Sequence, residues 1–346
     1  MKDIRKESLA TLITYFEGIG EKKFRAKQVW EWLWEKSAKT FEEMSNLSKS
    51  LRERLENEFQ ILPITIDNAQ FSDDGTIKSA FKLHDDHIVE GVLIPADERM
   101  TACVSSQVGC SLSCTFCATG YMKRERNLDV GEIYDQVVEI RNQASEHFDA
   151  SLSNIVFMGM GEPLLNYQNV MEGIDRIISP DGLNMSPKRI TVSTAGIAKM
   201  IKKLADDEVK FNLAISLHAA DDTKRNQIMP INETNTLEAL REALVYFYEK
   251  TENRITFEYI LFYGFNDSIA DAQKMLEFAR RVPSRVNIIE YNPIAEAKYR
   301  NADPEAIEKF STHLIDGGVS TTVRRSRGKD IDAACGQLAN KSKEIS

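Results

Sequence analysis

Cysteine is scarce in this chain of 346 residues, and the five that occur do not form a disulfide framework. Their number is odd and three of them lie together, so we expect a reducing compartment, the cytoplasm. We expect no secretory leader, because the apolar residues 9–16 lack a small-residue cleavage site and run into Glu17. The uncharged residues 100–122 are numerous enough to span a bilayer, but their Ser, Thr, Gln and Gly content excludes a membrane helix.

An excess of positive charge is also lacking. The 44 Lys and Arg residues are outnumbered by 53 Asp and Glu residues, which leaves a net charge of −9. Nucleic-acid-binding proteins usually have a basic balance or a basic face, so an RNA-binding function would depend on local patches. Two basic segments are present, and they contain Lys123, Arg124 and Arg126 in one case and Arg324, Arg325, Arg327 and Lys329 in the other. Taken alone, a run of charges is more often a solvated surface.

Short internal repeats and low-complexity linkers are absent, and 42% of the residues are hydrophobic, so the chain can bury a large core. Residues 1–60 have helical periodicity, over residues 21–36 and again over residues 41–59. Residues 61–95 change to the alternation of a β extension, with a turn at Asp73-Asp74-Gly75 and a strand over residues 87–94. Residues 96–328 alternate strand and helix, and residues 329–346 form a C-terminal segment.

All three tryptophans, Trp30, Trp32 and Trp34, occur in the first of these segments. Several cations precede them, namely Lys22, Lys23, Arg25 and Lys27. Helical spacing predicts a small helical core with a solvated basic edge. The alternative is a groove for RNA, in which the cations contact phosphates and the aromatic rings lie near bases.

Apolar runs in the third segment predict buried parallel strands, over residues 101–108, 154–158, 189–193, 211–217, 255–262 and 285–291. Amphipathic helices follow most of them, over residues 130–147, 170–178, 198–205, 237–248, 270–282 and 305–315. Six βα units in succession predict an α/β fold, a partial (β/α)6 barrel with a small helical N-terminal domain and a short β extension. In such barrels the chemistry takes place at the carboxyl ends of the strands.

Cys110, Cys114 and Cys117 form a C-x3-C-x2-C motif directly after the first predicted barrel strand. Three thiolates can hold three irons of a four-iron, four-sulfur cluster and leave the fourth iron open, whereas four would close the cluster for electron transfer. An open position is what a catalytic metal site requires. A zinc site or three buried thiols are the alternatives, but zinc would need a fourth ligand and no histidine lies near this motif in the sequence.

Glycines and polar residues follow the other predicted strands. After the second strand come Gly159 and Gly161, which let the backbone approach a ligand, and Glu162, which can accept a hydrogen bond from an amine. The third, fourth and sixth strands are followed by Ser193, by Ser216-Leu217-His218 and by Asn292. Each has an ordinary explanation as a turn, a cap or a hydrogen-bonded core residue. Together at the rim of one barrel they predict a cofactor pocket.

The cysteine motif resembles that of the radical S-adenosylmethionine (SAM) enzymes, whose open iron binds the amino and carboxylate groups of SAM. Phe116 fits the aromatic position of that family near the adenine of SAM. Residues 90–338 resemble the radical SAM adenosine methyltransferases of 23S ribosomal RNA, the RlmN/Cfr family. The motifs that carry this resemblance are Gly-Met-Gly-Glu-Pro-Leu-Leu-Asn at 159–166, Ser216-Leu217-His218, and residues 104–109 and 327–338. Pro163 to Leu165 and the Arg-Gly before Asp330 resemble the RlmN branch, which methylates C2 of adenosine, and not the branch that methylates C8.

The resemblance implies that the substrate is adenosine 2503 of 23S rRNA, reached before the subunit is fully assembled, and that adenosine 37 of some tRNAs is a further substrate. Cys110, Cys114 and Cys117 would ligate the 4Fe-4S cluster. The positions that match SAM-binding residues of the family are Gly161, Glu162, Ser193, Ser216, Leu217, His218 and Asn292. The target base would have to leave its stack to reach the pocket.

Cys335 matches the cysteine that is methylated by a first SAM molecule. A second SAM is cleaved to a 5′-deoxyadenosyl radical, which takes hydrogen from that methyl group, and the carbon radical adds to C2. Cys103 matches the partner that resolves the covalent adduct by forming a disulfide with Cys335, and Glu90 matches a proton acceptor. From the residues alone, Cys103 could equally be a buried inert thiol, and a glutamate in a strand is usually solvated. The small residues around Cys335 predict an accessible, mobile loop.

The two-cysteine route has a chemical reason. C2 of adenine is an electrophilic carbon, so its direct attack on a methylsulfonium is disfavoured and a radical route avoids that step. The thiolate is the competent nucleophile for the first methyl transfer and for the disulfide step. We expect a monomer that receives electrons from a donor such as flavodoxin or ferredoxin. The alternatives are another radical SAM enzyme, either an activase or a biosynthetic enzyme, which would not need Cys335, and a non-catalytic RNA-binding protein that contains a metal such as zinc.

Overall fold

The chain folds around a ten-stranded β-sheet, as a computed structural model that describes residues 1–340 shows. The strands are β1 Lys2–Asp3, β2 Phe59–Gln60, β3 Thr65–Phe71, β4 Ile77–Lys82, β5 Ile88–Ala96, β6 Arg99–Cys103, β7 Gln107–Val108, β8 Arg126–Asn127, β9 Asn154–Phe157, β10 Ile190–Thr194, β11 Asn212–Ser216, β12 Ile255–Ile260, β13 Ser284–Ile289 and β14 Ser320–Arg324. The α-helices are α1 Leu9–Gly18, α2 Phe24–Trp34, α3 Lys49–Glu58, α4 Val130–Phe148, α5 Tyr167–Ile178, α6 Ala198–Asp206, α7 Asp222–Ile228, α8 Leu237–Thr251, α9 Ile269–Ala279 and α10 Pro304–Asp316.

The large sheet has the order β14-β13-β12-β11-β10-β9-β6-β5-β4-β3. From β6 to β14 each strand is parallel to its neighbour, and helices connect successive strands. All six predicted parallel strands are present, so the prediction of an α/β fold with successive βα units is confirmed. A seventh parallel strand, β14, was not predicted from the sequence, and it pairs with β13 at the edge of the sheet.

The first barrel strand is shorter than predicted. Strand β6 ends at Cys103, because the chain then turns and the amides of Ser106 and Gln107 both donate to the carbonyl of Met160. Residues Gln107 and Val108 pair instead with β8, which follows the cysteine motif. The loop that carries the three cysteines is therefore closed at its base by a two-residue β-ladder.

The β extension is continuous with the barrel. Strands β3, β4 and β5 form an antiparallel meander, and β5 pairs antiparallel with β6, with Val92 opposite Cys103. The predicted turn at Asp73-Asp74-Gly75 and the predicted strand over residues 87–94 are both present. This register places Glu90 on the strand next to Cys103.

Helix α4 shows how the helices cover the sheet. Its N-terminus carries a capping box between Asp129 and Glu132, which satisfies backbone amides that the first turn leaves free. Its buried residues recur at helical spacing, as Ile133, Val137 and Ile140 do. The helix therefore presents one apolar face to the strands, and it turns the chain back so that β9 runs parallel to β6.

The N-terminal helices pack against α4 and α5. The ring of Trp34 meets that of Tyr134 edge to face at 5.2 Å, and the Arg176 guanidinium lies 4.5 Å from the centre of the Trp30 ring. Trp30 and Trp34 are buried, so the interpretation as a helical core is confirmed for these two rings. The helix predicted over residues 41–59 begins only at Lys49, because the Ser48 side chain caps it there. Within residues 1–340, no helix combines the length and the apolar composition needed to cross a bilayer.

Candidate active site

A cavity lies at the carboxyl ends of the barrel strands, with an empty volume of about 910 Å³ when the space at its mouth is included. Nine of the predicted site residues line it: Cys110, Cys114, Cys117, Gly161, Glu162, Ser193, Ser216, His218 and Cys335. Phe116 lines it as well. The remaining four predicted residues, Glu90, Cys103, Leu217 and Asn292, lie outside this lining. The fold thus brings together motifs that are separated by more than 200 residues in the chain.

The cysteine loop is held in place by close packing and by ring contacts. Gly109 has a φ of +73°, and a Cβ there would lie 2.1 Å from the carbonyl oxygen of Lys123, so only glycine fits. The Thr115 hydroxyl and the Tyr299 hydroxyl are 2.8 Å apart. The ring of Phe116 meets that of His218 edge to face at 4.8 Å, which fixes the loop over the fourth barrel strand.

The three thiols fit the cluster that the motif predicts. Cys110, Cys114 and Cys117 are free, half-buried and on one wall of the cavity. Burial raises the pKa of all three, that of Cys110 to about 11, while backbone amides that donate to the sulfurs of Cys110 and Cys117 oppose this. Amides aimed at sulfur are the contacts that tune iron–sulfur clusters. No three His, Cys, Asp or Glu side chains within residues 1–340 converge on the position of a single ion, and thiolates on separate irons of a cluster do not need to.

The loop after β9 presents backbone to the cavity. Gly161 has a φ of +93°, and a Cβ there would lie 2.5 Å from the Cβ of Gln107. The buried Glu162 accepts hydrogen bonds from the amide of Leu164 at 3.0 Å and from the amide of Ala195 at 2.8 Å. Burial raises the pKa of Glu162. Glu162 therefore links the loop after β9 to the end of β10, in addition to lining the cavity.

The predicted residues at the ends of β10 and β11 have two kinds of environment. The hydroxyl oxygens of Ser193 and Ser216 lie 3.5 Å apart on the cavity wall. His218 is buried and its Nδ1 accepts a hydrogen bond from the amide of Ile260 at 3.1 Å. Burial first, and the charge of Arg225 second, lower the pKa of His218 to about 3, so this imidazole is neutral at physiological pH. Leu217 is fully buried beside the cavity.

The segment that carries Cys335 is hydrogen-bonded to the cysteine loop and to the end of the barrel. The carbonyl of Gly336 accepts from the amide of Ala118 at 2.7 Å, and that of Leu338 accepts from the Thr119 hydroxyl at 2.7 Å. Asn292, predicted to bind the cofactor, donates to the carbonyl of Cys335 at 3.2 Å. Cys335 is an exposed residue, so the predicted accessibility is confirmed. The predicted mobility of this segment stays a prediction.

Glu90 is not a solvated strand residue, because it is 1% exposed. Its Oε2 accepts hydrogen bonds from the amides of Ala339 at 2.8 Å and Asn340 at 3.1 Å. Its Oε1 has no hydrogen-bond partner among the described residues and lies 3.6 Å from Nζ of the buried Lys78. Glu90 therefore anchors the segment that follows Cys335. Its predicted role as a proton acceptor stays a prediction.

Cys103 lies in β6 and is buried and free. Burial raises the pKa of this thiol, and the charge of Cys335 raises it further. The amide of Met158 donates toward Cys103 and opposes the shift. Cys103 thus lies outside the cavity lining, on the strand that leads into the cysteine loop. Its predicted role as the resolving thiol stays a prediction.

Glu258 on β12 is a buried glutamate that also lines the cavity and was not predicted from the sequence. Its Oε1 accepts a hydrogen bond from Nδ2 of Asn287 at 2.8 Å, whereas Oε2 has no partner among the described residues. The signal that could have revealed it is the single charged residue in the otherwise apolar run Ile-Thr-Phe-Glu-Tyr-Ile of a buried parallel strand.

The basic segments differ in what they can contact. Arg126 forms ion pairs with Asp85 at 2.6 Å and with Glu132 at 2.8 Å, so its guanidinium is engaged within the protein. Lys123 and Arg124 in the same segment are exposed. In the second segment all four cations are exposed, namely Arg324, Arg325, Arg327 and Lys329.

Two family models match different regions of the chain. Residues 3–61 match the ribosomal RNA large subunit methyltransferase N-terminal domain, and residues 104–279 match the radical SAM superfamily. Among solved structures, a radical SAM methyltransferase from Sphaerobacter thermophilus is similar with a TM-score of 0.92 and 38% identity, covering 98% of this chain and 99% of that one.

Curated relatives are similar over almost the whole chain. A protein from Cytophaga hutchinsonii, named a probable dual-specificity RNA methyltransferase RlmN, is 60% identical over 98% of this chain and 93% of its own length. A protein of the same name from Christiangramia forsetii is 58% identical over 99% of this chain and 97% of its own length. The RNA substrate, the 4Fe-4S cluster and SAM follow from this relationship at the level of the family. With the cavity geometry described above, these findings show that the chain belongs to the RlmN family of radical SAM RNA methyltransferases.

Proposed function

We propose that this enzyme methylates C2 of adenosine 2503 in 23S rRNA, by way of a methyl group carried on Cys335. The observation that carries the proposal is the position of Cys335, an exposed residue that lines the same cavity as the three cluster cysteines. A thiol used only for packing would be buried, as free cysteines usually are. The relatives are named dual-specificity RNA methyltransferases, which supports tRNA as a second substrate class.

The residues of this chain divide the work. Cys110, Cys114 and Cys117 hold the cluster, and the Gly159–Gly161 backbone, Ser193 and Ser216 shape the pocket for SAM. When bound, the cluster and two molecules of SAM per turnover supply a methyl group and then one-electron abstraction of hydrogen, with electrons from a donor such as flavodoxin or ferredoxin. Asn292 and the Ala118 amide hold the backbone around Cys335, so that its sulfur stays at the cavity.

The two other cysteines of the sequence act in order. The Cys335 sulfur accepts the methyl group, and the carbon of that group forms the new bond to C2 of adenine. The adduct first loses the proton of C2 and one electron. The Cys103 thiolate then attacks the Cys335 sulfur to form a disulfide, and the carbon–sulfur bond breaks with its electron pair on the carbon, which takes up a proton to become the methyl group of the product. Glu90 lies outside the cavity lining, and its contacts with the amides of Ala339 and Asn340 support a positioning role more directly than a role as proton acceptor.

The product of the reaction tests the proposal. Ribosomal RNA from a strain that lacks the activity is incubated anaerobically with the enzyme, a reductant and SAM, then digested to nucleosides and measured by mass spectrometry. We expect 2-methyladenosine with the wild type and none with Cys335→Ala. Formation of 8-methyladenosine would contradict the assignment to C2. Cleavage of SAM without any methylated nucleoside would favour another radical SAM reaction, in which Cys335 is not needed.

A further inference from the structure

Glu258 is a buried carboxylate of the cavity for which the steps above have no use. It lies on β12 in register with Ser216 on β11 and Asn287 on β13. Side chains in register on parallel strands point to the same face of a sheet, and both Ser216 and Glu258 line the cavity. The three residues therefore form a polar row across the barrel wall, in strands that are otherwise mostly apolar.

One oxygen of Glu258 is without a donor. Asn287 satisfies Oε1 at 2.8 Å, but no donor among the described residues lies within hydrogen-bonding distance of the buried Oε2. Buried polar atoms in native proteins almost always have a partner, and an exception calls for an explanation such as a catalytic role. An oxygen of this kind in the wall of a cofactor cavity can receive a proton or a donor from a reacting group.

Cys335 is exposed and lines the same cavity as Glu258. Burial raises the pKa of its thiol, and the charge of Glu258 is the next cause. Arg324 on β14 opposes the shift and Cys117 adds to it. A cysteine thiol is mostly protonated at neutral pH, whereas the nucleophile in methyl transfer is the thiolate, so the proton needs an acceptor.

We propose that Glu258 is a catalytic residue that takes the proton of the Cys335 thiol while this sulfur accepts the methyl group. The S–H bond breaks and its proton passes to Oε2 of Glu258. The Cys335 sulfur uses the electron pair of that bond to form its bond to the methyl carbon. The bond from this carbon to the sulfonium sulfur of SAM breaks, and its electron pair stays on that sulfur as a neutral thioether. The charges of the sulfonium and of the carboxylate are thus both neutralised.

The environment of Glu258 suits this role. Burial raises its pKa, which makes it a stronger base than a carboxylate in water. The charges of Arg324 and Arg285 and the hydrogen bond from Asn287 act in the opposite direction and favour the ionised form. A base is most effective when its pKa lies near the working pH, and burial shifts the pKa of Glu258 upward, in that direction.

The experiment compares wild type, Glu258→Gln and Glu258→Asp. Glu139→Gln is the matched control, since Glu139 is a buried glutamate on α4, outside the cavity, and pairs with Lys39. Each anaerobically purified protein is incubated with SAM bearing a trideuterated methyl group, and the peptide that contains residue 335 is analysed by mass spectrometry. The same peptide is measured after treatment of the SAM-free protein with iodoacetamide at pH 8. SAM affinity is measured by equilibrium dialysis, and cluster content by visible absorbance.

The two reactions of Cys335 are expected to change in opposite directions. In Glu258→Gln, transfer of the labelled methyl group falls by ~100-fold or more, the range of general-base catalysis, and Glu258→Asp restores part of it. Alkylation by iodoacetamide becomes faster, by about two- to tenfold, because loss of the negative charge lowers the thiol pKa and increases the thiolate fraction. Glu139→Gln changes neither rate. A merely structural role would not increase one reaction while it decreases the other.

Three results would overturn the inference. One is methyl transfer at the wild-type rate in Glu258→Gln. Another is a parallel fall of methylation and alkylation, which would show a structural effect. The last is a loss of SAM affinity as large as the loss of methylation, which would make Glu258 a cofactor ligand. The inference rests on the proposed function, and wild-type protein that fails to label residue 335 would overturn that function before any variant is considered.

Discussion

Strand β6 and the C-terminal segment hold their cysteines in different ways. Cys103 lies in a strand that is paired on both sides, to β5 and to β9, and its sulfur is buried. Cys335 lies in a segment outside the sheet, attached through hydrogen bonds such as those of Gly336 and Leu338 to the cysteine loop, and this residue is exposed. The difference shows that one thiol is fixed and protected whereas the other is presented to the cavity. This arrangement fits a resolving thiol and a methyl carrier.

The largest effect is expected from removal of a cluster ligand, because the proposed reactions of both Cys335 and Cys103 depend on the cluster. Replacement of Cys110, Cys114 or Cys117 by Ala leaves two protein thiolates for the cluster. We expect the brown colour, about four irons per chain and the conversion of SAM to 5′-deoxyadenosine to be lost together. Iron and sulfide analysis after anaerobic purification, with SAM cleavage measured by chromatography, checks this. A wild-type protein that is colourless and carries stoichiometric zinc would contradict the cluster assignment.

A second change removes only the exposed cysteine. Cys335→Ala eliminates the methyl acceptor and leaves the cysteine loop and the buried Cys103 in place. We expect a normal cluster content and complete loss of RNA methylation. Iron content and the amount of methylated nucleoside, measured on the same preparation, check this. Residual RNA methylation in this variant would show that the methyl group does not pass through residue 335.

A smaller effect is expected when the attachment of the C-terminal segment to the sheet is weakened at Glu90. Glu90→Gln leaves the buried Lys78 without its counterion and weakens the contacts to Ala339 and Asn340. We expect a loss of about 3–5 kcal/mol in unfolding free energy, the range for a broken buried ion pair. Hydrogen exchange at Ala339 and Asn340 should accelerate first, while the amides of β6 stay protected. Equal acceleration in both regions would show that the segment and the sheet open as one unit.

The smallest effects are expected from two cations after the cysteine loop, since Arg126 is held in ion pairs and Arg124 is exposed. Arg126→Gln breaks two ion pairs and lowers the melting temperature with little change in the salt dependence of RNA binding. Arg124→Gln leaves the melting temperature unchanged and reduces the salt slope by about one phosphate contact. Thermal unfolding and RNA titrations at several salt concentrations check the pair. The reverse pattern would show that Arg126, and not Arg124, contacts RNA phosphate.

The sequence predicts the barrel well because buried parallel strands appear as apolar runs of the expected length. Strand β14 escaped prediction because Ser320–Arg324 is polar and mostly exposed at the edge of the sheet, so it carries no apolar pattern. The break after Cys103 depends on the Met160 carbonyl, which accepts from the amides of Ser106 and Gln107 across a long sequence separation. Local periodicity contains no information on such a contact.

The residues of the candidate site were predicted from sequence motifs, which do not reveal the contacts that each side chain makes. Glu162 was expected to accept from an amine and is engaged by the amides of Leu164 and Ala195. Glu90 was expected to resemble a solvated strand residue unless catalytic, and it is buried because the C-terminal segment folds over it. Glu258 belongs to no motif. Its importance arises only when parallel strands place it in register with Ser216 and Asn287.

In the proposed reaction Cys335 carries the methyl group and Cys103 releases the product. The most direct measurement incubates Cys103→Ala with SAM, a reductant and substrate RNA, and separates the products on a denaturing gel. We expect methylation of Cys335 and formation of its bond to adenine, followed by a stall, because no nearby thiolate can attack the Cys335 sulfur. The account predicts a covalent protein–RNA complex whose linked peptide contains residue 335. Turnover of RNA at the wild-type rate, without such a complex on the gel, would contradict it.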